Sequence, residues 1–241
     1  MAMKRMINGV SGVSSTNPLA YYNALDPTLW RIWQENWLVY DLAQTDTPEW
    51  TLTNTNTGGV DAIVTPGVLT LTLDGGADDA CCLQGDHMKM FLASGKKAIF
   101  ETKIKIVKAG ATIGQQGFVV GLCEIATSTD FMDDPPPTAV AVDDIWGFLS
   151  YDATTNIVAI QGEAGAHSTE AGCTTYANDT WMVLSIYWDG YKSTFYKDDV
   201  ELCEITSNPP TSVVVPTIFI SAGEATADVL HTDYMIVAIE R

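Results

Sequence analysis

The chain has 241 residues, of which 12 are basic and 30 acidic, for a formal net charge of −18, and 46% are hydrophobic. That apolar share excludes wholesale disorder, and the length suits one large domain or two small ones with a sizeable core. The acidic excess excludes a duplex-binding body, which needs a basic footprint to release counterions, and no stretch approaches the ~20 apolar residues of a bilayer-spanning helix.

The opening Met1-Ala2-Met3-Lys4-Arg5 is followed by Asn8-Gly9-Val10-Ser11-Gly12. No apolar core follows the basic pair, so a secretory signal is not expected and synthesis in a cytoplasm is. Residues 1–20 carry Lys4 and Arg5, no acid, and much Ser, Gly, Asn and Thr. That composition predicts an extended arm whose basic tip can reach a negative surface. Tyr21, Tyr22, Trp30, Trp33, Trp37 and Tyr40 then fall close together. Asp26-Pro27 is a good helix start, and Trp30, Trp33 and Trp37 at i, i+3 and i+7 predict one apolar face of a short helix. Such a stripe either packs on its own domain or anchors a neighbouring subunit, since aromatic side chains are favoured at interface hot spots.

From Trp50 onward the pattern is β. Val68–Leu73 and Phe100–Ile106 alternate, the latter with Phe100, Ile104 and Ile106 inward and Glu101, Lys103 and Lys105 outward. Phe118–Cys123, Ile145–Tyr151, Ile157–Gln161, Ile218–Ser221 and Tyr234–Ile239 are further short strands. Trp181–Trp188 is apolar on both faces and reads as a central strand, and Asp198-Asp199 marks the turn of a hairpin. About a dozen strands separated by Gly and Pro punctuation predict an antiparallel sandwich or jelly roll. The chain divides into an N-terminal arm and helix over 1–45 and one β domain over 46–241.

Five cysteines, Cys81, Cys82, Cys123, Cys173 and Cys203, include no C-x-x-C pair. An odd, scattered set is expected to be reduced and to act as small buried hydrophobes. His87, His167 and His231 show no metal-ligand spacing, and no nucleophile elbow, P-loop or zinc-protease motif occurs. Asp143-Asp144 and Asp198-Asp199 are adjacent, so on a strand each pair would point to opposite faces, unlike a glycosidase pair. Asp74, Asp78 and Asp79, or Asp130, Asp133 and Asp134, are clustered oxygen ligands without the EF-hand spacing. No enzyme activity, metal or cofactor is expected. Six lysines lie between Lys89 and Lys108, and none of the next residues to Lys192 is basic while eleven are acidic. That polarity predicts a solvated lysine face and separate acidic loops, or head-to-side contacts between copies.

Several segments resemble strands of concanavalin A-like (laminin-G-like) sandwiches: Gly95–Ile106, Gly117–Leu122, Thr180–Gly190, Phe195–Val200 and Asp233–Val237. Taken with Leu83-Gln84-Gly85 and with their order over roughly residues 50–241, they are similar to virion proteins of tailed bacteriophages that carry this sandwich as a capsid decoration (cement) protein. The resemblance implies an all-β jelly roll and a structural protein on the outer surface of the virion. Its partners would be the major capsid protein and copies of itself, as a homotrimer or a dimer, with no nucleic acid or membrane. Lys4, Arg5, Tyr21, Tyr22, Trp30, Trp33 and Trp37 would form the assembly interface. The alternative is a lectin-like carbohydrate-binding module of a phage fibre or tail, with Asp143, Asp144 and Trp146 as the glycan site. The family's hydrolase pattern, E-x-D-x-x-E, is absent.

Overall fold

A computed structural model describes residues 28–37, 50–55, 61–65, 67–73, 75–76, 79–85, 88–108, 116–126, 131, 140–151, 154–222, 225 and 227–241. The strands are β1 (Trp30–Glu35), β2 (Thr51–Thr55), β3 (Asp61–Thr65), β4 (Val68–Thr72), β5 (Ala80–Gln84), β6 (Ala98–Lys108), β7 (Gln116–Cys123) and β8 (Ile145–Ser150). They continue with β9 (Asn156–Glu163), β10 (Ala166–Thr175), β11 (Met182–Trp188), β12 (Ser193–Lys197), β13 (Val200–Ile205), β14 (Val215–Ala222) and β15 (Asp228–Glu240). Among the described residues there is no helix, and none long and apolar enough to cross a membrane.

All pairings are antiparallel, in two sheets. One runs β13-β12-β11-β6-β15-β4-β3 with β1 also on β15, and the other runs β10-β9-β8-β7-β14-β5-β2. The inward set of β6, Phe100, Ile104 and Ile106, meets Leu122, Trp146 and Phe148 of the opposite sheet in the main core. Strand alternation explains that side, because every second residue shares a face. The other faces are apolar too. Val119, Cys123, Ile145 and Phe219 of the seven-stranded sheet pack with Phe131 and Val142. Ile99, Val183, Tyr196 and Ile236 cluster on the outside of the eight-stranded sheet. This is why β11 reads as apolar on both faces. A polar chain also crosses the main core: Trp146 Nε1 donates to Ser193 Oγ at 2.7 Å, and Ser193 Oγ donates to Gln161 Oε1.

The expected helix over the tryptophans is not formed; Trp30–Glu35 is strand β1, paired with residues 235–240 of β15. The cause lies in the length of β15. On that edge β4 pairs only with residues 229–232, which would leave the second half of a 13-residue strand without ladder partners. Completing that ladder outweighs the preference of a short helix, which is marginal below about 12 residues. In a strand Trp30 and Trp33 face opposite ways. Trp30 packs on the outer cluster and Trp33 on the main core. Trp37 follows in the left-handed region at φ 54° and is wholly buried, its ring 5.1 Å from that of Trp50. The strand therefore ties residues 30–35 of the expected extension into the sandwich. Lys4, Arg5, Tyr21, Tyr22 and Asp26-Pro27 lie outside the described residues.

Candidate functional site

The three residues expected to bind a glycan do not form such a site. Trp146 is fully buried and spends its N–H on Ser193, so its ring faces no solvent. Asp144 is 6% exposed, and its carbonyl accepts from the Glu124 N–H at 2.9 Å. Asp143 alone is exposed; its N–H donates to Glu124 Oε1 at 2.6 Å and its carbonyl accepts from Gly165 N at 3.1 Å. The local reason is that Ile145-Trp146-Gly147-Phe148 fills both faces of β8, leaving only the preceding turn at the surface.

A different tryptophan is presented to solvent. Trp181 lies one residue before β11 and is 36% exposed. The turn before it is pinned to the end of β6. Asn178 Oδ1 accepts from Lys108 N at 2.8 Å, and Asp179 N donates to Ile106 O at 2.8 Å. Asp179 turns the chain at φ 51°, and Thr180 Oγ1 donates to Asn178 O at 3.1 Å. Asn and Asp tolerate such a conformation and bond their own backbone, so this sequence makes a rigid mount.

Two lysines of β6 flank the indole. Lys103 Nζ is 4.8 Å and Lys105 Nζ 5.4 Å from the ring centroid. Both are held by carboxylates, Lys103 by Asp233 and Lys105 by Asp179 Oδ1 at 2.6 Å. The Lys105 bond and charge keep the Asp179 carboxyl below the usual carboxylate range. His231 is next to the ring, with Nδ1 3.0 Å from Thr70 Oγ1; burial, then the Lys105 charge, lowers its pKa. The lysine strand is thus a face of paired charges.

Trp181 also lines a cleft of about 200 Å³ with Thr175, Thr180, Lys197 and Asp198, over Tyr176 and Met182. Asp198 is in the hairpin turn, where φ is 48° and, at Asp199, 69°, and its Oδ1 accepts from Val183 N at 3.0 Å. Lys197 Nζ donates to Thr175 O at 2.5 Å, joining the hairpin to β10. The cleft therefore combines an indole with hydroxyls, one ammonium and one carboxylate. Aromatic surface plus a few directed polar groups is the usual make-up of a small-molecule site.

At the other end of β11, roughly 20 Å away by strand rise, is a second cavity of about 300 Å³. Phe91 and Ile239 supply apolar wall, and Arg31, Lys89, Lys96 and Arg241 its cations. Tyr191, 72% exposed, is near this end, but Asp189 beside it spends Oδ1 on the Tyr191 and Lys192 N–H groups.

Sequence reasoning placed Trp181 inside a buried strand and missed it. The available signal was the Asn178-Asp179-Thr180 turn directly before it. For a retaining or inverting hydrolase two facing carboxylates are required, and Asp198 is the one carboxylate among the residues lining the cleft. Among the described residues no three His, Cys, Asp or Glu side chains group so as to hold a metal. Asp79, one of the clustered loop carboxylates, accepts from Gly76 N at 2.7 Å; Asp74, Asp78, Asp130, Asp133, Asp134 and His87 lie outside the described residues.

Neither a protein-family profile nor a curated protein sequence matches the chain. Solved structures do. The VIP36 exoplasmic/lumenal domain in a Ca2+/Man-bound form is 13% identical, with a TM-score of 0.57 over 85% of this chain and 88% of that one. The Emp47p carbohydrate recognition domain is 12% identical, with a TM-score of 0.57 over 88% and 98%. The chain shares the antiparallel β-sandwich fold of these domains, one of them a carbohydrate recognition domain. A glycosidic hydrolase, 12% identical with a TM-score of 0.57 over 86% and 94%, shares it.

Proposed function

We propose that the chain is a carbohydrate-binding module and that a sugar docks in the Trp181 cleft. The observation that carries this reading is a surface indole fixed beside directed donors and acceptors. A pyranose has an apolar C–H face that stacks on an aromatic plane, and hydroxyls at its edge. Thr175 can donate and accept, Thr180 accepts, its proton being held by Asn178 O, Lys197 donates, and Asp198 offers its second carboxylate oxygen. Lys103 and Lys105 over the ring are each already paired with a carboxylate, so the polar groups left for the sugar are those that line the cleft. The likeness to carbohydrate-recognition domains supports this class of ligand, and nothing in the reading depends on a metal.

Capsid decoration, with the major capsid protein as partner and an outer-virion location, draws nothing from those fold relatives. It also draws nothing from Trp33 and Trp37, which pack within the chain. The strand motifs that resemble tailed-phage virion proteins would suit the same module on a fibre or tail. The test is a glycan array in calcium-containing buffer, with wild type beside Trp181→Ala. The wild type is expected to bind a defined set of glycans. The variant is expected to lose about tenfold or more in affinity, ~1.4 kcal/mol. An array with no binder, or a variant that binds as well as wild type, contradicts the proposal.

A further inference from the structure

The cysteine count predicts five inert thiols, and three conform: Cys81, Cys82 and Cys123 are fully buried. Cys173 and Cys203 are different. Both are half-buried, and their sulfurs are 3.0 Å apart. Cys173 is on β10, the terminal strand of one sheet, and Cys203 on β13, the terminal strand of the other. The contact joins the open edges of the two sheets. Both strands are irregular there. β10 slips register between Glu170 and Thr174, with Gly172 at φ 67°, and β12–β13 slips at Phe195/Tyr196, where Cys203 pairs with Phe195. An interrupted ladder gives the backbone room to adjust that a regular one lacks.

We propose that Cys173 and Cys203 are a redox-active dithiol that reacts with low-molecular-weight disulfides of the glutathione class and closes into a disulfide between the sheet edges. Cys173 is the attacking sulfur. The two thiols share one hydrogen bond, and Cys173 Sγ is also 3.0 Å from the Glu170 carbonyl oxygen. Sharing with Cys203 holds the Cys173 pKa down at about 7, while the same contact and burial raise that of Cys203. The Cys173 thiolate attacks one sulfur of glutathione disulfide and forms a mixed disulfide, releasing the first glutathione thiolate. Cys203 then loses its proton and attacks Cys173 Sγ, expelling the second glutathione thiolate. The two protein thiols give up two electrons and two protons; the glutathione disulfide takes them and leaves as two thiols. The new bond closes a loop that contains Trp181, Lys197 and Asp198, and so locks the turn and hairpin that build the cleft.

The full-length protein, reduced and then equilibrated in glutathione redox buffers, is read by intact mass and non-reducing peptide mapping. The expected result is loss of two hydrogens, a single Cys173–Cys203 linkage, and a melting temperature raised by about 5 °C or more. Cys203→Ser is expected to trap one glutathionyl adduct on Cys173, and Cys173→Ser to trap several-fold less. In the wild type, alkylation of Cys173 is expected to rise with pH through a midpoint near 7. No linkage in excess glutathione disulfide, a linkage to another cysteine, or equal trapping by the two variants would overturn the proposal.

Discussion

His231 lies on the outer face of the eight-stranded sheet, bonded to Thr70 and close to Lys105. Burial and that lysine hold it neutral in the fold by lowering its pKa from 6.5. In the unfolded chain the imidazole takes its proton first as the pH falls. Its contribution to stability is therefore present above about 6.5 and is lost as the pH drops through the lowered folded value. Urea titrations are expected to give a falling unfolding free energy from pH 7 toward pH 5, with a slope from this group of at most about 1.4 kcal/mol per pH unit. His231→Gln is expected to remove that component; an unchanged slope contradicts the assignment. The same scale shows what the sequence could not display. Trp146, beside two aspartates, looks like the better sugar platform, yet Ser193 and Gln161 of other strands enclose it. Trp181 sits in an apolar run, yet the bonds from Asn178 and Asp179 to β6 lift it to the surface. Both outcomes depend on partners 15 or more positions away, which no local pattern contains.

Strands with strict alternation were plain in the sequence because one face meets the core and the other meets charge. β6 is the best case: its inward set is as expected, and Lys103 and Lys105 face outward to Asp233 and Asp179. The Asp198-Asp199 turn was plain as well, since both residues have the positive φ of a two-residue hairpin. β1 was not, because three tryptophans at helical spacing carry no information about an unfilled edge on β15. The turn between β9 and β10 offers a test of the turn rules. Ala164 is at φ 49° and Gly165 at φ 77°, so an alanine occupies a position that suits Asn or Gly. Ala164→Asn is expected to stabilise the fold by about 0.5–1 kcal/mol, because Asn adopts the left-handed region at lower cost. Denaturant melts check this, and a neutral or destabilising result would show that the strain is relieved elsewhere.

At the scale of the molecule, the jelly roll was legible from strand count and punctuation. The additional apolar layers outside each sheet were less so, since a two-sheet sandwich needs only one core. Phe131 and Val142 come from the stretch between β7 and β8, and Phe131 stacks on Phe219 at 5.3 Å. That packing closes part of the seven-stranded sheet's outer surface, and the exposed tryptophan lies at the end of the other sheet. The two described cavities lie at opposite ends of β11, which makes the central claim spatially decisive. With a glycan identified on the array, amide chemical shifts of the full-length protein would be followed by NMR during titration. The account predicts that the perturbed residues are those of 174–182 and 196–198, with the Trp181 indole N–H among them. Perturbations centred instead on Arg31, Phe91 and Lys96, or spread without a centre, would contradict it.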